Sequence, residues 1–231
     1  MLEELRRQVW AANRALPQRG LVLLTWGNVS GIDRASGLVV IKPSGVEYEE
    51  LTPKNLVVVD LDGHLVEGTL RPSSDTATHL ELYKAFPSVG GIVHTHSTYA
   101  TAWAQTGQDL PCYGTTHADS FYGPVPCTRL LTAAEVETDY EAHTGTVVAE
   151  AFRTRGLDPM AVPGVLCACH GPFTWGSDPA QAVENAQILE EVARMALLTR
   201  QIAPDAAPAP DYLVEKHYRR KHGPHAYYGQ R

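Results

Sequence analysis

The segment GIVHTH, at residues 91–96, is an apolar run that ends in two histidines separated by one residue. Its β-branched residues, together with the turn-forming residues on either side, predict a strand. Because side chains alternate along a strand, His94 and His96 project from one face and can bind the same metal ion. Two strand histidines that hydrogen-bond to the backbone are the alternative interpretation.

Around this segment the chain alternates between short apolar runs and longer amphipathic segments. Strands are predicted at residues 21–24, 38–41, 57–61, 91–96 and 165–169, with a hairpin at the Asp-Gly pair 62–63. Helices are predicted at residues 2–15, 76–85, 147–155, 179–202 and 211–221, and another begins at the capping box of residues 132–135. Without regular strand–helix–strand alternation, this order favours an α/β or α+β fold with a mixed or antiparallel sheet.

The composition restricts the class of protein. The chain has 231 residues, 44% of them hydrophobic and 19% charged, which suits one compact domain or two small ones and excludes global disorder. Its net charge of −7 argues against nonspecific nucleic-acid binding. We find no secretory leader, no apolar run long enough to span a membrane and no disulfide framework, so we expect a cytoplasmic protein.

Two residues outside the histidine pair are further candidate ligands. His170 follows the predicted strand 165–169, and Asp75 stands at the start of a predicted helix. An ordinary helix cap is the alternative for Asp75. Cys167 and Cys169 belong to that same predicted strand, where we expect both to be buried, with Cys169 pointing away from His170. The sequence lacks His-Glu-x-x-His, and its histidine spacing does not match metallo-β-lactamases or cupins.

Three polar segments could bind a small phosphate, although no Walker or Rossmann glycine pattern occurs. GNVS at residues 27–30 and KPSG at residues 42–45 are predicted as turns that follow strands. SSDT at residues 73–76 opens a helix, whose free N–H groups and positive dipole end favour an anion. Each segment alone is better explained as an ordinary turn or helix cap.

Five sequence motifs, taken together, resemble those of a known protein family. In order they are TWGNVS (25–30), IKPSGV (41–46), RPSSDT (71–76), IVHTHS (92–97) and CHGPF (169–173). The chain resembles the class II, zinc-dependent family of sugar-phosphate aldolases and epimerases. Three further segments resemble the L-ribulose-5-phosphate 4-epimerase branch, namely TTHAD (115–119), FYG (121–123) and the Tyr- and His-rich tail 216–230.

The resemblance implies a fold and a set of site residues. The fold is a single α/β domain over residues 1–231, with a central, mainly antiparallel sheet flanked by helices in three layers. The implied zinc ligands are Asp75, His94, His96 and His170. The implied phosphate-binding residues are Gly27, Asn28, Lys42, Ser44, Gly45, Ser73 and Ser74. Asp119 and Tyr228 would transfer protons, supported by Glu141 and His217. Related aldolases have glutamate where this chain has Asp75, which favours the epimerase branch.

The implied activity is zinc-dependent epimerisation at C4 of L-ribulose 5-phosphate to D-xylulose 5-phosphate, in the catabolism of L-arabinose or a related pentose. The C3–C4 bond would break and re-form through an enediolate and glycolaldehyde phosphate. The resemblance also implies a C4 homotetramer, in which residues 204–231 complete the active site of a neighbouring subunit. An aldolase acting on a related ketose phosphate and a noncatalytic zinc-binding oligomer are the alternatives.

Overall fold

Seven antiparallel strands form one sheet in the computed structural model, which describes residues 2–223, 226, 227 and 229. The strands are β1 (Asn28–Asp33), β2 (Leu38–Ile41), β3 (Val57–Val59), β4 (Leu65–Glu67), β5 (Gly91–His94), β6 (Gly164–Leu166) and β7 (Pro172–Gly176). Their order across the sheet is β4-β3-β2-β1-β5-β7-β6. The hairpin predicted at residues 62–63 is confirmed, because it joins β3 to β4.

Seven helices accompany the sheet in the described part of the chain. They are α1 (Glu3–Gln18), α2 (Thr76–Ala85), α3 (Thr98–Thr106), α4 (Thr115–Ala118), α5 (Ala133–Arg155), α6 (Pro179–Ile202) and α7 (Asp211–His222). The helices predicted from periodicity are confirmed, whereas α3 and α4 were not predicted. None of the described helices combines the length and the apolar character that crossing a membrane requires.

Strands β2, β3, β5 and β6 are buried on both faces, which explains why they are almost continuously apolar, whereas the edge strand β4 is exposed. In β2, Val40 packs in a cluster with Val9 of α1, whereas Val39 packs in a second cluster with Leu80 of α2 and Phe152 of α5. Helices therefore cover the sheet on both sides. This arrangement confirms the predicted single α/β domain with an antiparallel sheet between helices.

Two predictions near the N-terminus are wrong. Residues 21–24 form no strand, and Leu23 and Leu24 are 68% and 71% exposed in the loop that leads into β1. Residues 28–30, predicted as a turn, begin β1 at the centre of the sheet. Gly31 within this strand allows close packing of α1 on the sheet. A Cβ there would lie 2.8 Å from the side chain of Leu5 in α1.

The strand predicted at residues 165–169 is shorter than expected. β6 ends at Leu166, and the chain turns before β7. Cys167 is buried as predicted, but Cys169 is exposed and has a φ of 60°, so the prediction that Cys169 packs in the interior is wrong. The alternating pattern failed here because a left-handed residue breaks the extended backbone.

The capping box predicted at Thr132 is confirmed, and its helix continues through the segment predicted as a separate helix at 147–155. The continuous α5 is kinked at Asp139, whose φ of −138° and ψ of 72° are not helical. Beyond the kink, α5 packs closely on α2. A Cβ on Gly145 would lie 2.5 Å from the Cβ of Glu81, so the two helices meet where α5 has no side chain.

Candidate active site

One cleft of about 590 Å³ opens beside the start of β1 and the end of β5. It brings together most of the predicted site residues, although they come from six separate parts of the sequence. Its lining residues are Thr25, Trp26, Gly27, Asn28, Lys42, Pro43, Ser44, Gly45, Ser73, Ser74, Asp75, His94, His96, Tyr140, Glu141 and His170.

Three histidines converge in this cleft. His94 is the last residue of β5, His96 follows it, and His170 stands in the turn between β6 and β7. One ligand nitrogen from each lies within 4.8 Å of the other two. The Nε2 atoms of His94 and His96 are 3.2 Å apart.

The surroundings of His94 determine which of its nitrogens is available. Its Nδ1 lies 3.0 Å from the carbonyl oxygen of Pro172, which can only accept a hydrogen bond, so we assign the proton to Nδ1 and the lone pair to Nε2. The ring stacks on Phe173, with centroids 4.1 Å apart. Burial lowers the pKa of His94 to about 4, so the imidazole is neutral at neutral pH and can act as a ligand.

The cluster fits a tetrahedral metal site. With zinc–nitrogen bonds of about 2.0–2.1 Å, two ligand nitrogens of a tetrahedron lie about 3.3–3.4 Å apart. The 3.2 Å between the Nε2 atoms of His94 and His96 is close to this separation. Three imidazoles with a nearby carboxylate are a donor set that suits zinc.

Asp75 supplies that nearby carboxylate. It precedes α2, but its side chain makes no capping hydrogen bond, so the helix-cap interpretation does not account for it. Its Oδ2 instead accepts a hydrogen bond of 2.6 Å from Nδ2 of Asn28. Burial alone would raise the pKa of Asp75, but the neighbouring His94 and the Asn28 amide hold it below its ordinary value. The residue is therefore an ionised acceptor at neutral pH.

The predicted phosphate-binding residues lie side by side because two loops are paired. The N–H of Ser44 donates to the carbonyl of Arg71, and the N–H of Ser73 donates to the carbonyl of Lys42, each at 3.0 Å. Asn28 joins them by donating to Oγ of Ser73 at 3.0 Å. Segments 42–45 and 73–76 thus form one wall of the cleft, beside the histidines.

Two polar groups in this wall are arranged to meet a ligand. The Oδ1 atom of Asn28 is buried and has no hydrogen-bond partner among the described residues, a state that costs free energy unless a ligand supplies a donor. The Lys42 side chain is 2% exposed, and its Nζ lies 5.0 Å from the ring centroid of Tyr48. Burial lowers the pKa of Lys42.

Gly27 allows the loop before β1 to approach β5 closely beside the histidine cluster. Its φ is +90°, and a Cβ would lie 2.7 Å from the carbonyl oxygen of His94 and 2.9 Å from Cγ1 of Val22. Any side chain at this position would push the loop away from β5. By contrast, Gly45 has a φ of +68° with open space around it, so its backbone conformation alone favours glycine.

Asp119 and His217 are not among the described residues that line the cleft. Asp119 follows α4 and contacts α7, where His217 Nδ1 lies 3.1 Å from its Oδ1 and Arg220 donates to both carboxylate oxygens. Burial would raise the pKa of Asp119, but these hydrogen bonds hold it below its ordinary value. Tyr228, the other predicted proton-transfer residue, lies outside the described residues.

Four residues of the cleft lining were not identified as site residues from the sequence, namely Thr25, Trp26, Pro43 and Tyr140. Trp26 borders the histidines, with its ring centroid 6.3 Å from that of His96, and it belongs to a motif that drew attention only for its glycine and polar residues. Tyr140 places its hydroxyl 3.3 Å from Nδ1 of His170. Only its position beside Glu141, which lines the cleft as well, could have suggested it.

Comparison with known proteins agrees with this geometry. The profile of the family described as Class II Aldolase and Adducin N-terminal domain matches residues 7–197. The chain is 57% identical over 230 residues to a curated protein of Salmonella paratyphi A named L-ribulose-5-phosphate 4-epimerase UlaF, with all of both chains covered. A protein of the same name from Salmonella typhi is equally similar.

Among solved structures, the chain is similar to an L-fuculose 1-phosphate aldolase, with a TM-score of 0.78 and 26% identity over 93% of this chain and 94% of the other. It is also similar to YgbL of Klebsiella pneumoniae, described as a putative aldolase/epimerase/decarboxylase. That match has a TM-score of 0.72 and 26% identity over 94% of this chain and 99% of the other.

Proposed function

Because the chain belongs to the class II aldolase and adducin family, we propose that it is a zinc-dependent epimerase that converts L-ribulose 5-phosphate into D-xylulose 5-phosphate. One observation carries the proposal. The three-histidine cluster and the paired phosphate-binding loops share a single cleft. The full-length relatives named as this epimerase support the choice of substrate.

The substrate explains why both parts of the cleft are needed. C4 of a 2-ketopentose is not adjacent to the carbonyl group, so its proton is not acidic. Removing the proton of the C4 hydroxyl group instead allows the C3–C4 bond to break, which leaves an enediolate and glycolaldehyde phosphate. Rotation of the aldehyde before the bond re-forms inverts C4. A zinc ion held by Asp75, His94, His96 and His170 would supply a Lewis acid for the negative charge.

The residues of the cleft have complementary tasks in this reaction. Lys42, Ser44 and Ser73, with Gly27, Gly45 and Ser74, would hold the phosphate. The Asn28 amide, whose N–H groups already donate to Ser73 and Asp75, would orient those two side chains. The aldehyde would then remain bound after cleavage, which distinguishes an epimerase from an aldolase. Glu141 contributes a further carboxylate to the lining of the cleft.

We further propose that the acid/base residues act in the cleft of a neighbouring subunit of a C4 homotetramer. Asp119 and His217 belong to the contact between α4 and α7 and do not line the cleft of their own chain. A neighbour could present this group, with Tyr228 from the tail, at the open side of the cleft. One residue on each side of C4 would then exchange protons with the hydroxyl oxygen.

The direct test is an assay of the purified protein with L-ribulose 5-phosphate and D-xylulose 5-phosphate, combined with metal analysis. We expect interconversion in both directions and about one zinc per chain. Net release of free aldehyde and dihydroxyacetone phosphate from a ketose phosphate would identify an aldolase instead. Bound zinc without turnover of either substrate, or full activity without zinc, would overturn the proposal.

The metal site can be tested separately by binding. Replacing His96 with Asn should abolish the rise in melting temperature that zinc causes in the apoprotein, because a ligand that binds only the folded state stabilises it. His143→Asn is the matched control, since His143 lies on α5 with its Nε2 3.1 Å from Oγ1 of Thr138 and belongs to neither candidate metal-binding group of the described residues. An unchanged zinc response in the His96 variant would exclude His96 as a ligand.

A further inference from the structure

The kink in α5 places a tyrosine in the cleft. Asp139 interrupts the helix, and the next two residues, Tyr140 and Glu141, line the cleft. A regular helix through Asp139 would follow a different axis beyond this point. The interruption is therefore what directs Tyr140 toward the histidine cluster.

Hydrogen bonds fix the backbone immediately after the kink. The hydroxyl of Thr144 donates to the carbonyl of Tyr140 at 2.8 Å, and the hydroxyl of Thr78 in α2 donates to the carbonyl of Glu141 at 2.6 Å. The close contact of α2 with Gly145 lies one turn further along. Tyr140 thus extends from a rigid support rather than from a loop.

The Tyr140 hydroxyl contacts His170, the predicted ligand that lies in the turn between β6 and β7. Its oxygen lies 3.3 Å from Nδ1 of His170, and the two rings are 5.9 Å apart. His170 follows the left-handed Cys169 and precedes Gly171, so no strand pairing orients its ring. His94, by comparison, is oriented by the Pro172 carbonyl and by stacking on Phe173.

The direction of the hydrogen bond follows from the two nitrogens of a neutral imidazole. If Tyr140 donated to Nδ1, the proton of His170 would be on Nε2, and that nitrogen could not bind a metal. If Nδ1–H donates to the tyrosine oxygen, the lone pair of Nε2 is free. Only the second arrangement allows His170 to coordinate through Nε2 while it contacts Tyr140.

We propose that Tyr140 is a positioning residue whose hydroxyl oxygen accepts the Nδ1–H of His170 and thereby fixes Nε2 as the metal-binding nitrogen. This inference rests on the proposed role of His170 as a ligand. It assigns to Tyr140 the task that the Pro172 carbonyl performs for His94. Outer partners of this kind contribute about 10- to 100-fold to metal affinity.

The test measures Co²⁺ and Zn²⁺ affinity of the apoprotein by competition with a chromophoric chelator. Tyr140→Phe retains the ring and loses only the hydroxyl, so we expect about tenfold or greater loss of affinity and an altered Co²⁺ absorption spectrum. The melting temperature of the apoprotein should not change. Tyr212→Phe, at a tyrosine that is 77% exposed, is the matched control and should bind both metals like the wild type.

A double-mutant cycle tests whether Tyr140 affects metal affinity through His170. In a His170→Asn background, Tyr140→Phe should cause no further loss of metal affinity, because the tyrosine would act only through His170. Equal affinity and an equal spectrum in wild type and Tyr140→Phe would overturn the inference, and so would a further loss in the His170→Asn background. Failure of the wild type to bind either metal would instead overturn the proposed metal-dependent function.

Discussion

Arg220 donates hydrogen bonds to both oxygens of the Asp119 carboxylate, with Nε 3.0 Å from Oδ1 and Nη2 2.5 Å from Oδ2. This bidentate contact links α7 to the residue that follows α4. Paired hydrogen bonds from an arginine fix the orientation of a carboxylate as well as its charge. Lys221 adds a second positive charge, with Nζ 3.6 Å from Oδ2.

Replacing Arg220 with Gln should therefore raise the pKa of Asp119 toward its ordinary value. If Asp119 acts as an ionised base, the acidic limb of the kcat/KM profile should move to higher pH, with lower turnover at neutral pH. Arg219→Gln is the control, because Arg219 is 68% exposed and pairs with Glu215 on the same helix. An acidic limb that stays in place would show that Arg220 does not govern the titration of Asp119.

The proposed sharing of active sites between subunits predicts that two inactive variants can restore each other's activity. Lys42→Met should impair the cleft, and Asp119→Asn should impair the group offered to the neighbour. In tetramers assembled from equal amounts of both, about a quarter of the sites would combine an intact cleft with an intact Asp119. We expect activity near that fraction after co-expression. Activity no higher than that of the separate variants would indicate that each chain works alone.

Gly27→Ala should damage both stability and the site. The added Cβ would clash with the carbonyl oxygen of His94, and alanine would be strained at a φ of +90°. We expect the free energy of unfolding to fall by about 3 kcal/mol. Gly37→Ala is the matched control, with a φ of +70° but open space around it, and should cost only about 1 kcal/mol. Urea denaturation of both variants measures the difference, and equal losses would contradict the steric explanation.

The burial of His117 predicts that the free energy of unfolding depends on pH. Burial lowers its pKa from 6.5 to about 4, and its Nε2 lies 2.8 Å from the carbonyl oxygen of Gly123. Between these two pH values the unfolded chain binds more protons than the folded chain. The contribution of His117 is thus complete above about pH 6.5 and declines as the pH falls toward 4, by at most about 1.4 kcal/mol per unit.

The variant His117→Gln can keep the hydrogen bond to Gly123 without titrating. Urea denaturation of the apoprotein from pH 7 down to pH 4.5 should therefore show a shallower loss of stability in the variant than in the wild type. Because His79 and His94 are unchanged in both proteins, the difference isolates His117. Parallel curves would show that His117 does not bind a proton on unfolding.

Local patterns in the sequence predicted most regular elements of this fold. The capping box at Thr132 and the proline at the first turn of α6 mark real helix starts, because both signals act within one turn of backbone. The errors fall where distant contacts decide the conformation. β1 contains Gly31 because α1 and α6 pack on it, a contact that no local pattern contains.

At the candidate site, too, local patterns were predicted correctly and features that depend on distant contacts were not. The sequence correctly predicted that His94 and His96 lie close together, but β5 ends at His94, so alternation along a strand does not extend to His96. The order of the motifs led to the residues that share their cleft. Tyr140 was missed because its approach to His170 depends on the kink at Asp139 and on the packing of α5 against α2. A sequence pattern predicts that a helix exists but not where a kink directs its next residue.

The register of β1 and β5 has one further consequence. Asn28 pairs directly with His94, so the residue that bonds Ser73 and the residue that begins the histidine cluster face each other across two strands. A slip by one position would turn one of them to the opposite face of the sheet. The spacing between the Ser73 side of the cleft and the histidine cluster is thus set by main-chain pairing. Exchanging side chains leaves that spacing unaltered, so a cleft of different width would require rebuilt loops.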